Sequence, residues 1–86
     1  MEEGAQPIGF DTFVLGLAST VLIHLGEGPD PDTGSAKPNL FMAKQSLDLL
    51  ELLFSKTKGN LTSDEERLFQ SVLTDLRLKF VGASRA

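Results

Sequence analysis

Between Lys56 and Glu66 one helix ends and another begins, and this restricts the folds open to the rest of the chain. Gly59 follows a long leucine-rich helical pattern. Glycine has no Cβ and enters the left-handed backbone region without a clash, so it is the usual residue just past a helix end. Lys56 and Lys58 fall in the expected last turn, where cations meet the negative end of the helix dipole. Thr62 offers a hydroxyl to the free N–H groups of a new helix, and Glu65, three residues on, completes a capping box. Asp64, Glu65 and Glu66 add negative charge at the positive end of that helix. Helices joined by so short a link are antiparallel neighbours.

The expected fold is all-α, with three helices over about 11–25, 39–58 and 62–81, the last two forming this hairpin. Eighty-six residues make one small domain. A chain of that size buries only about 60% of the surface its unfolded form exposes, so its own core is marginal. The lead-in over 1–9 is broken by Gly4, Pro7 and Gly9 and, like 82–86, reads as flexible.

The first helix is the least water-compatible part of the chain. Asp11 is its expected N-cap and Gly26 its expected stop. At 100° per residue Val14, Leu15, Leu17, Ala18, Val21, Leu22 and Leu25 fill one broad arc. The other side carries Thr12, Gly16, Ser19, Thr20 and Ile23, small or apolar and uncharged. A helix of this kind is normally buried all round, and a chain with two further helices has too little cover for it. A second copy is the natural supplier, so the expected state is a helical homo-oligomer. Gly16, Ser19 and Thr20 would allow a partner helix to approach closely.

Residues 26–38 form a turn-rich connection stiffened by Pro29, Pro31 and Pro38. Asp30 and Asp32 resemble the start of a calcium loop, but the twelfth position from Asp30 is Phe41 and not the required Glu. In the second helix, capped by Asn39, the expected core arc is Leu40, Met42, Ala43, Leu47, Leu49, Leu50, Leu53 and Phe54. Lys44, Asp48, Glu51 and Ser55 make a solvated stripe. Beyond it Phe41 and Leu52 lie three turns apart on one line, off the core arc, where the first helix or a partner must cover them. In the third helix Leu68, Phe69, Val72, Leu73, Leu76 and Phe80 share a face, and Leu78 lies off it. The candidate oligomer interface is therefore Phe13, Gly16, Leu17, Thr20, Ile23, His24, Phe41 and Leu52.

Taken together, these pieces resemble a family of small bacterial all-helical proteins known as a domain of unknown function. The matching segments are Phe13-Val14-Leu15-Gly16-Leu17-Ala18-Ser19, Leu25-Gly26-Glu27 before the prolines, Asn39-Leu40 with Ala43-Lys44-Gln45 and Asp48-Leu49-Leu50, and Asp75-Leu76-Arg77. The most specific is Lys56-Thr57-Lys58-Gly59-Asn60-Leu61-Thr62. The resemblance implies three helices and a bacterial cytoplasmic setting; it implies no activity, cofactor or catalytic residue.

Chemistry finds little to work with. There is no cysteine, so no thiolate nucleophile, and His24 is the sole histidine. One histidine makes a zinc site only with carboxylates brought from elsewhere. No glycine-rich phosphate loop or nucleophile elbow occurs. The expectation is a protein without enzymatic activity, cofactor or metal, whose partner is itself or another protein. The alternative is a nucleic-acid or anion binder. Residues 1–36 hold six acids and no base, while 37–86 hold eight bases and six acids, net +2. The candidate basic residues are Lys56, Lys58, Arg67, Arg77, Lys79 and Arg85. Arg67, Arg77 and Lys79 spread around their helix, without interleaved exposed aromatics, which weighs against that alternative. The run Phe13–Leu25 is too short to span a bilayer and contains Ser19, Thr20 and His24, and the first residues are acidic; both point to the cytoplasm.

Overall fold

The computed structural model describes residues 9–28, 34 and 37–85. The expected lead-in over 1–8, the Asp30/Asp32 pair and Ala86 lie outside the described residues. Three helices carry the fold: α1 (Phe10–His24), α2 (Leu40–Thr57) and α3 (Ser63–Ser84). Each packs on both others.

The helix ends show why the elements fall where they do. At α1's C-terminus Gly26 takes a φ of 88°. Its N–H donates to the Ile23 carbonyl, and the Glu27 N–H donates to that of Leu22 at 2.9 Å. This crossed pair is a Schellman motif, which satisfies carbonyls the helix itself leaves open. The start of α1 departs from expectation. Gly9, not Asp11, is the N-cap, without a side-chain cap bond, and Asp11 Oδ1 accepts from the Thr12 N–H inside the first turn. The helix begins one residue earlier because Phe10 packs on the core, its ring 5.9 Å from that of Phe69.

Asn39 caps α2 as expected, its Oδ1 accepting from the Met42 N–H at 3.1 Å. Its own N–H donates to the His24 carbonyl at 2.7 Å, tying the start of α2 to the end of α1. At the opposite end the rings of Phe10, Phe54 and Phe69 gather. α1 and α2 are thus antiparallel, and α3 returns alongside α1.

The α2–α3 link refines the expected glycine stop. Lys58 (φ −58°, ψ 131°) and Gly59 (φ 89°) are the central residues of a type II β-turn, closed by the Asn60 N–H donating to the Thr57 carbonyl at 2.9 Å. Gly59 supplies the positive φ that this turn requires at its third position. Lys58 is pulled out of the helix, and its ammonium lies 5.5 Å from the Phe54 ring centre. The capping box is complete: Thr62 Oγ1 accepts from the Glu65 N–H at 3.1 Å, and Glu65 Oε1 accepts from the Thr62 N–H at 2.9 Å. Thr62→Ala removes the hydroxyl half of this box, at a cost of about 1 kcal/mol. The expected result is a melting temperature lower by about 4–8 °C, measured by circular dichroism.

α3 continues three residues past the expected Val81, so 82–84 are helical and not a loose tail. Ala83 packs on the core and Ser84 Oγ donates to the Phe80 carbonyl, which together offset the helix cost of Gly82, about 1 kcal/mol.

The core takes Val14, Ala18, Val21 and Leu25 from the α1 segment, Ala43, Leu47 and Leu50 from α2, and Phe69, Leu73 and Leu76 from α3. The spacings of three and four residues place each set on one face. Phe69 sits at the centre, fully buried, with the Phe54 ring edge-on at 4.9 Å. Glu51 on α2 pairs with the Arg77 Nε on α3 and fixes the outer edge of the hairpin.

Candidate interaction surface

Apolar residues of α2 extend over about 260° of its circumference at 100° per residue. Two neighbouring helices cover roughly half of that circle, centred on Ala43, Leu47 and Leu50. The remainder is left to solvent. Phe41 is 70% exposed and Leu52 53%. α1 therefore does not cover this line within the chain. Two residues expected in the core join it: Leu49 is 65% exposed and Met42 is also on the surface. They sit on the far rim of the apolar arc, beyond the reach of α1 and α3. The excess width of the apolar arc was the sequence signal for both.

The result is a continuous strip along the outside of α2. Phe41, Gln45, Asp48 and Leu52 recur at helical spacing, with Met42 and Leu49 along one flank. Gln45, Asp48, Leu49 and Leu52 line a shallow depression in it. The other flank holds Lys44, whose Nζ bonds Asp48 at 2.9 Å, and Glu51. Isolated exposed leucines are ordinary; four large apolar side chains exposed along one side of a single helix, interrupted by Gln45 and Asp48, make this side the candidate place of contact.

Phe13, Leu17 and His24 of α1 border the same surface, whereas Gly16 and Ile23 lie about 100° or more round that helix from Leu17. The Glu51–Arg77 pair shows which flank of α2 faces α3, so the flank with the half-buried Leu53 faces α1, and Leu49 lies just outside it. For right-handed antiparallel helices, that flank meets the side of α1 bearing Phe13, Leu17 and His24. Phe13 is 47% exposed; Gly16 and Thr20 are exposed; Leu17, Ile23 and His24 are half-buried. α1 is thus buried on one face only, not all round. A Cβ added at Gly16 would meet nothing within 4 Å, so the chain itself makes no use of that small side.

The basic residues are scattered. Arg77 is held by Glu51, Arg67 lies 3.7 Å from Asp64, and Lys58 covers Phe54. Among the described residues no three His, Asp or Glu side chains converge as metal ligands, and no helix is long and apolar enough to cross a membrane.

The family model for a domain of unknown function, DUF1844, matches residues 7–82, nearly the whole chain. The chain belongs to this family. No curated protein and no solved structure matches it. Membership in DUF1844 agrees with the resemblance to a family of unknown function. A functional reading of this DUF1844 domain rests on its surface.

Proposed function

We propose that this protein is a non-catalytic helical module that assembles with copies of itself. The observation that carries the reading is the α2 strip, with Phe41, Met42, Leu49 and Leu52 exposed together beside the uncharged outer side of α1. Burying one such side chain is worth about 1.5–3 kcal/mol. Phe41 and Leu52 together therefore weigh heavily against the stability of a small domain, about 5 kcal/mol. The interface is drawn from Phe13, Gly16, Leu17, Thr20, Ile23 and His24 on α1 and Phe41 and Leu52 on α2, widened by Met42 and Leu49.

Sedimentation equilibrium at micromolar concentration is the direct test. The expected result is a mass at least twice that of the 9.3 kDa chain. A well-folded monomer across that range would overturn the proposal.

A further inference from the structure

Building on that proposal, we infer that the α2 strip takes the α2 strip of a second copy, antiparallel, about a two-fold axis between Ser46 and Leu47. The pattern along the strip is nearly palindromic. About that point Phe41 comes level with the partner's Leu52, and Gln45 with the partner's Asp48. Leu52 and Asp48 in turn meet the partner's Phe41 and the partner's Gln45. A two-fold interface requires this kind of self-complementarity, with residue i meeting j and j meeting i.

The flanks agree with the same axis. In an antiparallel pair related by a two-fold, like flanks face each other. The Met42/Leu49 flank then lies against its own copy, Met42 within about 3 Å along the axis of the partner's Leu49 at 1.5 Å rise per residue. On the other side Lys44 comes within about 1.5 Å axially of the level of the partner's Asp48. The exposed Lys44–Asp48 pairs of the two copies therefore join as a four-membered ion-pair cluster of alternating sign. A parallel pair fails on both counts. It sets the apolar flank of one copy against the charged flank of the other, and it puts the two Asp48 carboxylates at one level. Charge complementarity thus selects a second copy of this chain and selects its direction.

The chain has no cysteine, so introduced thiols report contacts without background. Phe41→Cys and Leu52→Cys variants are mixed, oxidised at a concentration where the parent chain sediments as a dimer, and compared with each variant oxidised alone. Both positions are exposed, and the mixed dimer keeps one intact Phe41–Leu52 contact. The mixture is expected to give at least tenfold more disulfide-linked dimer than either variant alone. In a dimer of either variant with itself, the two thiols lie eleven residues apart along the axis, about 16 Å, beyond disulfide reach. Cross-linking of either variant with itself at the level of the mixture overturns the antiparallel register. A parent chain that sediments as a dimer while the mixture does not cross-link overturns the register and leaves self-assembly standing. A monomeric parent chain overturns both.

Discussion

Phe69→Ala is expected to leave the protein largely unfolded near physiological temperature. Phe69 is fully buried and is where the three helices meet: Phe10 of α1 and Phe54 of α2 pack on its ring, and Leu73 and Leu76 continue its row on α3. Truncating a buried phenylalanine costs about 3–5 kcal/mol, from lost transfer energy and from the cavity left behind. A domain of this size has a total stability of about 5 kcal/mol, so the loss removes most of it. Thermal and urea unfolding followed by circular dichroism measure this. A cooperative transition within about 5 °C of the parent would show that the core does not depend on this ring.

Leu52→Glu is expected to convert the assembly to monomers while leaving the helices intact. Leu52 makes no contribution to the buried core, and its exposure lets a carboxylate remain in water in the separated chain. In the proposed dimer two-fold symmetry removes the contact twice. Losing about 1.5–3 kcal/mol at each raises the dissociation constant by roughly a hundredfold or more. The buried carboxylate adds to that penalty. Leu78→Glu is the control, since Leu78 is as exposed as Phe41 but lies on the outer side of α3. Light scattering coupled to size exclusion should give a monomer mass for Leu52→Glu and the parent mass for Leu78→Glu, with equal helical signal. An unchanged mass for Leu52→Glu would remove the α2 strip from the interface.

Several features are legible in the chain itself. Asn39, the Thr62/Glu65 box and Gly26 mark helix ends by chemistry that acts within four or five residues, and each acts as its type predicts. Spacings of three and four residues likewise put Val14, Ala18 and Val21 on one face and Phe69, Leu73 and Leu76 on another. Gly59 is legible as a helix breaker; that Lys58 leaves the helix with it, as the second residue of a type II turn, is seen only in the structure.

A resemblance to a family of unknown function was legible in the chain, and the antiparallel run of α2 and α3 followed from the compact Lys56–Glu66 link, whereas the direction of α1 did not. What the tertiary structure alone decided is how much of each apolar face is covered. Periodicity reports which side chains are greasy, but burial depends on how many neighbours a helix has and from which side they come. α2 has neighbours on one side only, so Leu49 and Met42, apolar like Leu50 and Ala43, lie on the surface. α3 gains a turn because Ala83 finds core to pack on, and α1 starts at Phe10 because Phe69 is there to receive it. Local rules act over a few residues along the chain; exposure is decided by elements distant in sequence.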